Sequence, residues 1–382
     1  MSYLFFKWRN INPIPKMQTG TRILSGTVLL PTESSAGCNK SRGQQASAQL
    51  RLPGLTSSPF ATLSSEIRCQ TGTMTMHEYI ECTFVRILLC LLLVASSACS
   101  RQVTIDTTTA RFAVIGDFGY SLNEHEGKVA ALVRSWDPEF IITLGDNRYG
   151  TIDYDLAVGQ YFCEFLFETE TGRTCSGSDA LSNAFFPSLG NHDYTDGGGL
   201  DEYLGYFTLP GAGLDTSGTS GNERYYDFIK GPIHFFVIDS QGALSSASDN
   251  KAQMTWLQAQ LAASVTPWQI VYFHHPPYSS GKHDSSPEMQ WPFARWGADV
   301  VMSGHDHNYE RLSVDGITYF VNGLGGKSIR NFNESISGSL VRYSGDFGAM
   351  LVNANEASVT FEFFNVAGEV VDSFTMDTVS AP

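Results

Sequence analysis

From residue 111 onward, short apolar runs alternate with longer amphipathic stretches. RFAVIGDFG, residues 111–119, reads as a buried strand over 112–115 followed by a polar loop. Residues 124–136 place Val129, Leu132 and Val133 on one helical side, and 140–144 is a second apolar run ending in GDNRYG. Strand, helix and strand in that order predict a βαβ unit with parallel neighbours. Residues 155–169 read as a helix and 172–179 as a Gly-, Ser- and Asp-rich loop. FFPSLGNHDYTDGGG, 185–199, is a strand running into a polar loop, and 195–224 reads as an irregular insertion. Strands are predicted over 233–240, 268–273 and 298–302, with helices over 249–263 and 287–296 between them. Asp315-Gly316 between RLSV and ITYFV predicts a two-residue hairpin. Further strands follow over 347–353, 358–364 and 370–376, with a turn at 366–368. Helices alternate with strands early and hairpins dominate late, so the body is expected to be one α/β domain with two sheets.

The first 75 residues differ from this. They hold eight Lys/Arg and two acids with no sustained period, while the remainder carries 16 basic and 37 acidic residues. So acidic a body would repel a nucleic-acid backbone over most of its surface. A phosphate-bearing substrate would need a local cationic site. FVRILLCLLLVASSACS, 84–100, has Arg86, nine apolar residues and then small ones. The run is short for a bilayer span and fits a secretory signal with cleavage after Ser96-Ser97-Ala98. Cys99 also resembles a bacterial lipoprotein box, although Ser96 stands where an aliphatic residue is usual. An ordinary cleaved signal and a lipid anchor through Cys99 both remain open, as does a signal-anchor with a cytoplasmic tail. The expected organisation is a leader over 1–73 arising from an over-extended start, a signal over 74–99, a linker over 100–110 and a catalytic domain over 111–378. The protein is then exported: periplasmic, on the cell surface or secreted. Cys163 and Cys175, the cysteines of the body, suggest one disulfide, with two free thiols as the alternative.

Five strand ends carry metal-binding residue types. They are Asp117 in GDFG, Asp146 and Tyr149 in GDNRY, Asn191-His192 in GNHD, His274 in VYFH, and His305 with His307 in SGHDHNYER. Singly, each has a plain reading: Gly-Asp is usually a turn, and a lone histidine usually a packed one. Together and in order they point to metal, because loops at strand carboxyl ends converge in parallel α/β sheets. In an extended segment His305 and His307 face one side and Asp306 the other.

The series DxG, GDxxY, GNH(D/E), VxxH and GHxH resembles the metallophosphoesterases, and within them the purple acid phosphatases of the small, single-domain type. The resemblance covers about 111–365. It implies a four-layer α/β/β/α sandwich, two mixed sheets flanked by helices. It also implies two metal ions, one held by Asp117, Asp146, Tyr149 and His307, the other by Asp146, Asn191, His274 and His305. Asp146 would bridge them. Two carboxylates and a phenolate suit Fe³⁺, and the second set suits a divalent ion such as Zn, Fe or Mn. The implied activity is hydrolysis of small phosphate monoesters by metal-bound hydroxide. His192 would be general acid or phosphate clamp, with Asp193 either orienting it or lying in a solvated turn. His283, nine positions after His274, would contact substrate or leaving group. His275 would pack beside the ligands, and His125 and His234 would be structural. Arg148 would either steer phosphate or pair with surface acids. Gly323 and Gly325-Gly326 would admit the backbone close to the site or form a plain turn. Two rivals remain: a phosphodiesterase or nucleotide hydrolase with the same metals, and a non-catalytic phosphate-binding surface protein. Specificity is expected in loops 172–182, 195–224 and 276–290.

Overall fold

In the computed structural model, residues 109–378 are described apart from 121–123, 168–181, 212–213 and 215–219. The leader, the signal segment with Cys99, the loop 172–179 and Cys175 therefore lie outside the described residues. Among those described, no helix is long and apolar enough to cross a membrane.

The strands in chain order are β1 (Thr109–Ile115), β2 (Phe140–Thr143), β3 (Phe185–Pro187), β4 (Tyr226–Lys230), β5 (Ile233–Val237), β6 (Trp268–Tyr272), β7 (Val300–Ser303), β8 (Tyr309–Val314), β9 (Ile317–Asn322), β10 (Ser339–Tyr343), β11 (Gly348–Asn355), β12 (Ser358–Asn365) and β13 (Val370–Asp377). They form two mixed sheets, ordered β13-β12-β11-β1-β2-β3 and β10-β8-β9-β7-β6-β5-β4. β1, β2 and β3 are parallel, and so are β5, β6, β7 and β9. Their carboxyl ends carry the motif loops. The hairpin at Asp315-Gly316 has positive φ at both residues, 52° and 87°, as a turn matching strand twist requires.

Alternation along the apolar runs decides the layers. Phe235, Ile270 and Val300 belong to the core cluster shared with the first sheet. Their neighbours Phe236, Val271 and Val301 pack with Leu257 and Leu261 of the helix Ala247–Ala263. Strands buried on both faces explain why these segments are apolar throughout. Aromatic rings fill the space between the sheets: Phe186 stacks on Phe228 at 3.9 Å, and Phe112 meets Phe235 edge-on at 5.2 Å. Each such pair adds about 0.5–1.5 kcal/mol beyond its burial. On the far side of the first sheet, the helix His125–Ser135 buries Val129 and Val133. The four-layer α/β order holds.

Several elements differ from expectation. The segment expected as one helix over 155–169 is a π-turn, Asp155–Gly159, then Gln160–Phe162 and a tighter turn, Cys163–Phe165. Gly159 lies against Tyr206, where a Cβ would come within 2.8 Å of its hydroxyl. The supposed insertion 195–224 contains a helix, Gly199–Tyr206, that buries Tyr203 and Tyr206. Residues 287–296 split at Pro292 into Pro287–Met289 and Phe293–Trp296, as a proline lacking an N–H requires. The short strands β4 and β10 were not anticipated; each pairs at a sheet edge. Cys163 is disulfide-bonded, to a partner outside the described residues.

Candidate metal centre

Three of the strand-end residues have left-handed backbone: Asp117 (φ 57°), Asp146 (φ 52°) and His305 (φ 68°). That conformation costs a non-glycine residue about 1–2 kcal/mol, and such strain collects at functional sites. Glycines beside them let the two sheets' loops meet. A Cβ on Gly145 would fall 2.6 Å from the His274 ring, and one on Gly304 would fall 2.5 Å from the Asp117 carboxylate.

The side chains gather in two groups. In the first, Tyr149 Oη donates to Asp117 Oδ1 at 3.1 Å. His307 Nε2 lies 3.5 Å from that hydroxyl and 3.4 Å from Asp117 Oδ1. In the second, His274 Nε2 lies 3.1 Å from Asn191 Oδ1, 3.1 Å from His305 Nδ1 and 3.4 Å from Asp146 Oδ1. His274 Nδ1 donates to the Leu144 carbonyl at 2.8 Å, which turns the Nε2 lone pair toward the site. Asp117, Asp146 and His274 each offer an atom within 4.8 Å of the others. All seven candidate ligands are thus brought together.

The donor chemistry fits cations. Lone pairs of Asn191, His274 and His305 converge with two buried carboxylates, an arrangement that draws in positive charge. Burial disfavours a charged His274, yet Asp146 and Asp117 raise it to about 9. Burial opposes charge on Asp146 too, but His274 and His192 pull it below the usual carboxylate range. Burial, Asp117 and Asp146 push the Tyr149 phenol well above its ordinary value. Only a strong cation would ionise that phenol.

The other expected residues divide. His192 donates its backbone N–H to Asp146 Oδ1 at 2.9 Å, and its ring lies 4.4 Å from the Tyr149 ring. Its imidazole is oriented by Asp196, whose Oδ2 is 2.7 Å from Nδ1, not by Asp193. The helix Asn191–Thr195 begins here, so the acid four positions on shares its face. Asp193 is neither orienting acid nor solvated turn residue. It is buried, accepting from Gly190 N, Asn147 Nδ2 and Tyr154 Oη at 2.8, 3.0 and 2.9 Å. Burial and Asp146 push it up to about 6. Arg148 faces neither substrate nor the acidic surface. It is buried, pairs with Glu202 at 2.6 Å and covers the Tyr154 ring at 4.4 Å.

His283 reaches the centre, its ring 4.2 Å from the His305 ring. Asp306 points away, accepting from Ser279 Oγ at 2.5 Å and His283 N at 2.8 Å. The extended-strand argument for His305 and His307 needs correction, since β7 stops at Ser303 and the chain turns left-handed at His305. His275 is buried beside His305, its Nδ1 2.9 Å from Ser240 Oγ. Burial and His274 lower it to about 3, so it packs neutral. A loop that the motifs did not single out for chemistry, 323–330, adds three side chains. Ser328 Oγ is 2.6 Å from His307 Nδ1. Lys327 Nζ lies 4.4 Å from the Tyr149 ring centre, and Arg330 Nη1 bonds His283 Nε2. The glycines of NGLGG were the one sequence signal for it.

Residues 110–309 match the family model of the calcineurin-like phosphoesterases. The chain belongs to that family. Curated relatives of this phosphoesterase include purple acid phosphatase 15 of Arabidopsis thaliana, 29% identical over 248 residues, covering 56% of this chain and 45% of that one. Mouse tartrate-resistant acid phosphatase type 5 is 24% identical over 257 residues, covering 58% of this chain and 74% of the relative. The chain spans about half the length of purple acid phosphatases 15 and 23 of Arabidopsis thaliana. Two solved structures share the fold. Plasmodium GAP50, the anchor in the inner membrane complex, superposes with a TM-score of 0.56 at 18% identity, covering 72% of this chain and 90% of that one. The yellow lupin purple acid phosphatase PPD1 gives 0.53 at 18%, covering 71% and 54%.

Proposed function

We propose that this phosphoesterase is a binuclear-metal phosphomonoesterase of the acid phosphatase type, acting on small phosphate esters. The observation that carries the reading is two groups of donors with Asp146 reaching both. Asp117, Asp146, Tyr149 and His307 would hold Fe³⁺, and Asp146, Asn191, His274 and His305 a divalent Zn, Fe or Mn ion. Bound there, two cations would neutralise phosphoryl oxygens and lower the pKa of water toward neutrality. The chain's own residues supply the rest. Asp196 holds His192 by Nδ1, which leaves Nε2 to protonate the departing ester oxygen. Tyr149 packs against that ring and fixes its plane. His283, steadied by Asp306 through its backbone, stands where the leaving group passes. We further propose an exported protein with its signal over 74–99, either cleaved after Ala98 or anchored by a lipid on Cys99; mass spectrometry of the mature N-terminus tells the two apart.

The deciding experiment combines metal analysis, a visible spectrum and two assays on natively expressed protein. It should hydrolyse p-nitrophenyl phosphate faster than bis(p-nitrophenyl) phosphate. It should also show a phenolate-to-iron band that Tyr149→Phe abolishes. Metal-loaded protein inert toward the monoester sinks the reading. Preference for the bis-ester moves it to the phosphodiesterase class, and an active but iron-free, colourless protein removes only Fe³⁺.

A further inference from the structure

An acidic body makes the approach of a phosphate ester a problem of charge. Beyond residue 75 there are 37 acids against 16 bases. Several arginines of the body are neutralised internally: Arg148 by Glu202, Arg224 by Asp239 and Asp249, Arg311 by Asp372. Two cations at the candidate centre are placed differently. Lys327 and Arg330 lie on the loop after β9, which is pinned to the site by its backbone. Lys327 N donates to the Asp117 carbonyl at 3.1 Å and Arg330 N to the His307 carbonyl at 2.9 Å. The Lys327 ammonium sits over the rings of Tyr120 at 3.5 Å and Tyr149 at 4.4 Å. The Arg330 guanidinium meets His283, whose ring lies tilted against that of His305. Among the described residues, neither head group forms an ion pair with a carboxylate. Both residues are partly buried, where charge is screened less than in open solvent.

A guanidinium only donates. His283 Nε2 therefore accepts from Arg330, and the group that His283 presents at the mouth is backed by a fixed positive charge. Lys327 stands on the Tyr149 side of the mouth and Arg330 on the His283 side. Metal ions held at the centre would already answer the charge of the reacting phosphoryl group, so these two cations are free to meet another part of the substrate. We propose that Lys327 and Arg330 form a cationic rim that selects phosphate esters whose leaving group carries an anionic group of its own, a carboxylate or a second phosphate. This rests on the phosphomonoesterase reading and names its substrate class.

The test uses the metal-loaded full chain with phenyl phosphate and 4-carboxyphenyl phosphate, comparing kcat/KM in wild type, Lys327→Met, Arg330→Gln and the double variant. Comparing the ratio between variants cancels the intrinsic difference between the two leaving groups. The wild-type ratio, carboxylated over neutral, should exceed that of the double variant by about tenfold, equivalent to some 1.4 kcal/mol. Added salt should shrink the difference. Lys327→Arg, which keeps the charge, should hold the ratio and control for damage to folding. Equal ratios in wild type and double variant, with both esters hydrolysed, overturn the rim alone. A wild type that hydrolyses neither ester brings down the phosphomonoesterase reading, and the rim with it.

Discussion

The two halves of the centre are built on opposite plans. Asp117, Tyr149 and His307 bond directly to one another, and Tyr149 and His307 are also held from outside, by Lys327 and by Ser328. Asn191, His274 and His305 meet as closely, with Asn191 Oδ1 and His305 Nδ1 each 3.1 Å from His274 Nε2, and the Leu144 carbonyl holds His274 from behind. Apart from the shared Asp146, the first half supplies a carboxylate, a phenol and one imidazole, while the second supplies two imidazoles and an amide oxygen. A carboxylate beside a phenol that must ionise calls for a strongly charged cation, whereas imidazole nitrogens and an amide oxygen suit a divalent ion. The contrast is a claim about metals that can be broken residue by residue.

Asp146 is the one carboxylate assigned to both halves, so its removal should have the largest effect. Asn tolerates left-handed backbone better than most residues, so Asp146→Asn, at φ 52°, should fold. It should lose both ions and about 10³-fold or more in kcat/KM. His274→Ala should lose the divalent ion and keep the other. Metal analysis of the two variants checks this, and an Asp146→Asn protein that retains one full equivalent would show that the halves do not share it.

How much of this was legible follows from what each residue has to satisfy. Asp117, Asp146, Tyr149, Asn191, His274, His305 and His307 stood out because few residue types can ligate metal and the parallel strands bring the loops at their carboxyl ends together. The layers were legible too, since both-face burial leaves runs such as IHFFV. Asp196 was not. Its pairing with His192 depends on a short helix beginning at Asn191, and the polar, Gly-rich text around it reads as loop. Lys327 and Arg330 lie past the last motif, brought back only because β9 runs beside β7. Arg148 misled for the opposite reason: it sits between two ligands in sequence, yet its side chain turns inward to Glu202. β4 and β10 are edge strands whose partners lie on one side only, so their patterns are weak.

The outside support of the first half gives a smaller, sharper test. Ser328→Ala removes the hydroxyl at His307 Nδ1 and should cost about 10–100-fold in affinity for the ion held by Asp117, Tyr149 and His307. The ion at His274 and His305 should be unaffected, and Ser328→Thr should restore the first. Calorimetric titration of each metal reads this directly. Equal losses at both ions would mean the halves are mechanically one unit.

The smallest effect lies behind the first half. Glu126 is 1% exposed, and its backbone abuts the clasping loop: a Cβ on Gly326 would fall 2.7 Å from Glu126 Cα. Burial raises its carboxyl from the ordinary 4.5 to about 9, with the Tyr120 backbone amide opposing only in part. The folded state therefore holds a proton that the unfolded chain releases above 4.5. Its contribution to stability is full below that pH, declines as pH rises, and is gone once pH passes about 9. Glu126→Gln, permanently neutral, removes the slope. Between pH 6 and 7 the wild type should lose about 1.3 kcal/mol relative to Glu126→Gln, read from urea midpoints at the two pH values. Parallel midpoints would mean that Glu126 titrates alike in both states, and that the loop behind Tyr149 and His307 rests on no buried neutral acid.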